Sequence, residues 1–181
     1  MPRSPVWKGW NYQERGKVSL SETYREFPAM AIVGAHVLNN ETATETELSP
    51  KSWVRELTEQ ILEQGTTEGA EYQGLPVVLF TITGAKSGKK RYVPLMRVEA
   101  DGKYAMVGSN GAGATNPSWY YNIKANPTVT VQDGTKVLTL QARELDGAER
   151  EKWWTLAVES FAQYAEFQSQ TDRQLPVFIL E

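Results

Sequence analysis

The stretch that decides the fold runs from Pro76 to Ser109: PVVLFTITGAKSGKKRYVPLMRVEADGKYAMVGS. It opens with PVVLFTIT, a β-branched and aromatic run with the composition of a strand. GAKSGKK is the turn that follows. RYVPLMRVEA reads as a second strand, in which Pro94 requires an edge or a bulge because it cannot donate to a ladder. Asp101-Gly102 has the chemistry of a two-residue hairpin turn, and KYAMVGS returns as a third strand. Three strands joined by short turns imply consecutive antiparallel pairing.

The same signals recur further on. TVTVQ, a hairpin turn at Asp133-Gly134, and TKVLTLQARE give a fourth and a fifth strand. LPVFIL near the end gives a sixth. Helical patterns interrupt the strands. Ser49 can cap a helix with Pro50 in its first turn, Trp53, Leu57 and Ile61 make its apolar stripe, and Gly65 is its stop. SWYYNIKAN is a short helix after a glycine-rich loop. The segment 147–167 is helical in pattern, with Trp154, Val158 and Phe161 on one face. Few residues separate the strands, which favours a six-stranded antiparallel barrel with flanking helices over a doubly wound sheet. Residues 1–48 differ in composition and read as an N-terminal extension, partly ordered, ahead of one domain at 49–181.

Composition excludes several kinds of chemistry. The 181 residues include no cysteine and one histidine, His36. Disulfides, thiolate catalysis and multi-histidine metal sites are ruled out, and no metal is expected. The net charge of -3 opposes a general nucleic-acid binder. The longest apolar run, Ala29 to Leu38, is too short to span a membrane. It reads as a packed segment, with a peripheral membrane contact as the alternative, and a cytoplasmic location is expected. The oligomeric state is open.

Against that acidic background, Lys86, Lys89, Lys90 and Arg91 crowd one turn. The turn is not a nucleotide P-loop. Three residues separate Gly84 from Gly88 where that motif needs four, and Lys90 stands where its hydroxyl should be. A glycine turn with backbone amides, the Ser87 hydroxyl and several cations suits a multiply charged anion. It also suits a solvated hairpin tip. The loop GSNGAGATNP lets a ligand approach the backbone, and Trp119 behind it is either a wall for a flat ring or a core residue. Phe161, Tyr164 and Phe167 stand three apart, and only Tyr164 carries a hydroxyl.

PVVLFTITGAKSGKKRYVPL, GSNGAGATNPSWYYNIKANPTVTVQ and YAEFQSQTDRQLPVFIL, in this order and spacing, resemble the deazaflavin (F420)-dependent nitroreductases and quinone reductases of actinobacteria. The resemblance covers about Gly65 to Glu181. It implies a split β-barrel and a reduced deazaflavin that gives a hydride to an electron-poor small molecule: a quinone, an activated alkene or a nitro compound. By resemblance, Lys86, Ser87 and Arg91 hold the coenzyme's phosphate and glutamate tail, with Ala85, Tyr92, Val93 and Pro94 beside them. Val107, Gly108, Ser109 and Asn110, with Ser118, Trp119, Tyr120, Tyr121 and Asn122, surround the ring. Tyr164 borders coenzyme and substrate. Tyr164 as proton donor and Ser109 as a stabiliser of the developing anion are the catalytic candidates. Asn110 replaces a lysine frequent in the family. Phe161, Phe167 and Met96 replace tyrosines of the nitroimidazole-activating member, which leaves the substrate side poorer in hydroxyls. The alternatives are a flavin-mononucleotide split-barrel oxidoreductase and a non-catalytic deazaflavin-binding protein.

Overall fold

The computed structural model describes residues 46–181. The expected extension, apart from its last three residues, lies outside that range, as do His36 and the Ala29–Leu38 run. The described part is mainly β with flanking helices. Its strands are β1 (Thr46–Glu47), β2 (Glu71–Tyr72), β3 (Leu75–Thr83), β4 (Lys90–Met96), β5 (Glu99–Ala100), β6 (Lys103–Val107), β7 (Thr128–Asp133), β8 (Lys136–Glu144) and β9 (Val177–Leu180). The helices are α1 (Ser52–Gln64), α2 (Ser118–Ala125), α3 (Gly147–Ser160) and α4 (Gln163–Ser169). None of them is long and apolar enough to cross a membrane.

The six longer strands fall on the six expected ones, but the second, expected to run to Ala100, stops at Met96 and resumes as β5, while β1 and β2 are additions of two residues each. All join one sheet in the order β1-β4-β3-β7-β8-β9-β6-β5, with β2 on the side of β3. Pairing is antiparallel except between β1 and β4. Strand pairing does not close the path. β4 and β5, far apart in that order, are nevertheless successive pieces of one chain segment. Arg97 bonds back to Pro76 of β3, and Val98 accepts from Ala105 of β6, so the segment passes from one flank to the other in two residues.

Strands buried on both faces read as unbroken apolar runs, because period two divides their side chains between two cores. Val77 and Leu79 of β3, Ala105 and Val107 of β6, and Val177 and Ile179 of β9 meet Leu57, Ile61, Trp153 and Ala157 of α1 and α3. Val78, Phe80 and Ile82, with Tyr104, Met106, Phe178 and Leu180, meet Trp119 and Ile123 of α2. Pro94 sits in mid-strand opposite Leu79, and among the described residues no strand covers its other side beyond Arg91, which is how β4 tolerates it. Asp101 and Gly102 both take positive φ, as a hairpin turn of the expected kind requires.

Four local readings are corrected. α1 starts at Ser52, and the Ser49 hydroxyl instead accepts the Lys51 N–H in the preceding turn. Its stop is as expected: Gly65 is left-handed and its N–H returns to Ile61. The second hairpin turns on Gly134 and Thr135, because Asp133 still pairs with Lys136. The 147–167 helix breaks at Phe161, which is extended, and the buried face of α3 carries Trp153 and Ala157 in place of Trp154 and Val158.

Candidate functional site

The basic turn is built on close approach. Gly84 donates to the Lys89 carbonyl at 2.8 Å and accepts from Gly88 at 2.9 Å. A Cβ on Gly84 would lie 2.7 Å from the Ser87 hydroxyl and 3.1 Å from Arg91 Nε, so any side chain here would push these groups aside. Ala85 donates its N–H to the Asn122 side chain at 3.0 Å, which ties the turn to α2. Ser87 accepts from the Lys89 N–H within the turn.

Behind the turn lies a cavity of about 330 Å³. Arg91, Tyr92, Val93 and Pro94 of β4 form one wall. Val107, Ser109, Asn110 and Gly111 form a second, and Ser118, Trp119 and Asn122 of α2 a third. Glu47 to Lys51, Trp53 and Val54 complete it. A second cavity of about 290 Å³ adjoins the first. Lys51, Trp53, Pro94, Leu95, Ser109, Asn110 and Gly111 line both. The second is mostly apolar and aromatic, with Leu57, Tyr72, Val77, Met96, Phe161, Tyr164 and Phe167. Its rings form a chain: Trp53 lies 4.8 Å from Tyr72, Tyr72 6.3 Å from Phe161, and Phe161 5.1 Å from Tyr164.

Most of the expected residues therefore converge, and some do not. Ala85, Lys86 and Ser87 stay in the turn and line neither cavity. Gly108 lies behind the wall, where a Cβ would come within 2.6 Å of the Pro176 ring. Tyr120 turns its ring to Phe178 and its hydroxyl to Glu144, and Tyr121 is exposed. Tyr164 lines only the second cavity. It is buried, and burial pushes its hydroxyl pKa up, which keeps it protonated and able to donate. Arg91 is ion-paired with Glu47 at 2.8 Å.

Several lining residues were not foreseen, Glu47 and Lys51 among them, and three further contributors stand out. Trp53, expected in the core stripe of α1, is 45% exposed and lines both cavities. Tyr72 belongs to the two-residue strand β2, which the strand signals of the sequence do not include. Arg173 is the third. Its guanidinium donates to the carbonyls of Ser109 at 2.6 Å and Gly113 at 2.9 Å, and to the Asn116 side chain at 2.8 Å. Partial burial lowers its pKa from the ordinary value, and no carboxylate among the described residues pairs with it. The loop it holds is strained, because Asn110 and Ala112, neither of them glycine, have positive φ. The cluster of Arg173 with loop carbonyls could have been sought in TDRQLPV, but nothing in that string names its acceptors.

The site thus joins a cavity edged by cations to an apolar, aromatic one, with Ser109, Asn110 and Gly111 between them. A family model described as F420H(2)-dependent quinone reductase matches residues 53–181. An F420H(2)-dependent quinone reductase of Mycobacterium tuberculosis is 32% identical over 108 residues, which are 58% of this chain and 72% of the relative. A solved F420-H2 dependent reductase is 69% identical, with a TM-score of 0.57, over 59% of this chain and 94% of that one. A solved domain-swapped dimer is 67% identical, with a TM-score of 0.59, over 74% of this chain and all of that one.

Proposed function

The chain belongs to the F420H(2)-dependent quinone reductase family, and from that premise we propose that the larger cavity takes the reduced deazaflavin while the aromatic one takes a quinone. The chain is an F420-dependent oxidoreductase. The observation that carries the assignment is the wall shared by the two cavities, since hydride transfer needs donor and acceptor in contact across one boundary.

The donor set fits such a coenzyme. Arg91 and Lys51 offer charge to a phosphate or carboxylate, while Ile82, Pro94, Val107 and Trp119 offer flat apolar walls to a ring. When bound, the reduced deazaflavin supplies a hydride. The protein's part is to orient the ring on the shared wall, to exclude water with Trp53 and Phe161, and to manage a proton. Reduction of a quinone by a hydride leaves an oxyanion. Ser109 stabilises it, and Tyr164 gives up its hydroxyl proton and regains one from water. The cavity's few hydroxyls favour a flat apolar quinone over a nitroimidazole.

We read residues 49–181 as the reductase domain and its sheet as a six-stranded split barrel, supported by the two-residue passage at Arg97–Val98 between its flanks. The test is multiple-turnover oxidation of the reduced coenzyme by menadione, followed by absorbance. Turnover is expected with quinones. Oxidation absent with quinones, enones and nitroaromatics alike rejects the assignment. A yellow purified protein holding flavin mononucleotide would favour the flavin alternative.

A further inference from the structure

The wall of the larger cavity that precedes residue 53 lies outside the span matched by the family model. It contributes a negative charge where an anionic ligand is expected. β1 runs parallel to β4 with Glu47 in register with Arg91, and the two side chains meet at 2.8 Å. Among the described residues, the charged ones lining this cavity are Glu47, Lys51 and Arg91. Two cations and one carboxylate leave a net single positive charge, and loss of the carboxylate doubles it. Arg91, the one arginine among the described residues that line the cavity, is thus occupied by an anion of the chain itself.

We propose that Glu47 is an internal competitor for the anionic arm of the coenzyme: its carboxylate holds Arg91 until a phosphate or tail carboxylate takes its place. This rests on the placement of the coenzyme proposed above. The exchange is cheap on the protein's side. Both side chains are partly exposed, at 32% for Arg91 and 48% for Glu47, so Glu47 can rotate into water without burying its charge. Glu47 then lowers affinity without touching the ring, and it makes occupancy of Arg91 selective for ligands whose charge exceeds that of one carboxylate.

The test is a fluorescence titration of oxidised F420 against wild type, Glu47→Gln, Arg91→Ala and the double variant, with melting temperatures as folding controls. Glu47→Gln is expected to bind about two- to fivefold more tightly, the worth of a partly exposed ion pair. Arg91→Ala is expected to bind about tenfold more weakly. In the Arg91→Ala background, Glu47→Gln should lose most of its effect, and its advantage in the native background should shrink as salt rises. Unchanged or weaker binding by Glu47→Gln overturns the proposal, as does an equal gain in both backgrounds. Wild-type affinity in Arg91→Ala rejects instead the placement of the anionic arm, and Glu47's role with it. Repeating the titration with coenzyme lacking its glutamate tail separates the sources: a retained gain identifies the phosphate, a lost gain the tail.

Discussion

Arg173→Ala removes a clasp whose three acceptors all belong to the loop between the cavities. Hydrogen bonds from a charged donor contribute roughly 1.5–3 kcal/mol each when buried. This guanidinium is only partly buried, so water can replace some of them, and a net loss of about 2–3 kcal/mol is the better expectation. Release of the strain at Ala112, a non-glycine residue at φ 61, returns about 1 kcal/mol of that. The remaining 1–2 kcal/mol corresponds to a fall in melting temperature of about 3–8 °C for a domain of this size. The functional effect should be of about the same size as the stability effect. Ser109, Asn110 and Gly111 line both cavities, and a loop that holds its bound shape one time in ten weakens binding about tenfold. The assays are thermal melting and F420 titration on the same preparations. Ala112→Gly should raise the melting temperature of wild type but add little in the Arg173→Ala background, where the strain is already released, and it should not recover that variant's affinity. A variant that melts early yet binds F420 as wild type does would refute the positioning role, and one unchanged in both would refute the clasp.

Other outcomes follow from single contacts. Gly108→Ala places a Cβ 2.6 Å from the Pro176 ring, and overpacking of this kind costs about 1–3 kcal/mol, measurable by urea denaturation. Tyr164→Phe is expected to lower quinone turnover by about a hundredfold if the hydroxyl is the proton donor. Because burial raises its pKa above the ordinary 10.0, wild type should show no alkaline loss of turnover from this group below pH 10. Turnover equal to wild type across pH would remove Tyr164 from the mechanism. Tyr104 donates to Asp133 at 2.9 Å, and burial, then that bond, pushes its pKa up to about 12. The folded state holds the proton more tightly, so its contribution is full below pH 10 and is lost as pH rises towards 12. Tyr104→Phe should flatten stability over that window relative to wild type.

Strands were legible in the sequence because β3, β6 and β9 are buried on both faces, and unbroken apolar runs bounded by Gly, Asp-Gly and Pro have few other readings. The buried face of α3 was less legible. Two tryptophans stand side by side at 153 and 154, and only packing against the sheet decides which of them points inward. The break at Phe161 was hidden for a similar reason: the helical pattern continues through it, while the chain bends to lay Tyr164 and Phe167 along the second cavity. The resemblance found the β4 wall and the α2 wall, whose residues are neighbours in the chain. It could not find Trp53, Tyr72 or Arg173. Their roles are set by partners far away in sequence, and for Arg173 those partners are mainly backbone carbonyls, which carry no sequence signal. Tyr120 and Tyr121 show the converse. They flank a residue of the wall, but successive positions on a helix face different ways.

The position of β9 between β8 and β6 bears on how the protein is made. Tyr104 pairs with Leu180, and Val107 with Val177. On the ribosome, the β5–β6 hairpin and its half of both cores must therefore wait, apolar and unpaired, until almost all of the described chain has emerged. The β3–β4 hairpin, which carries the basic turn, needs no such delay. The half of the site that carries the basic turn can be assembled while the wall that faces it is still without a neighbour, and that interval is when the nascent chain is most in need of protection from aggregation.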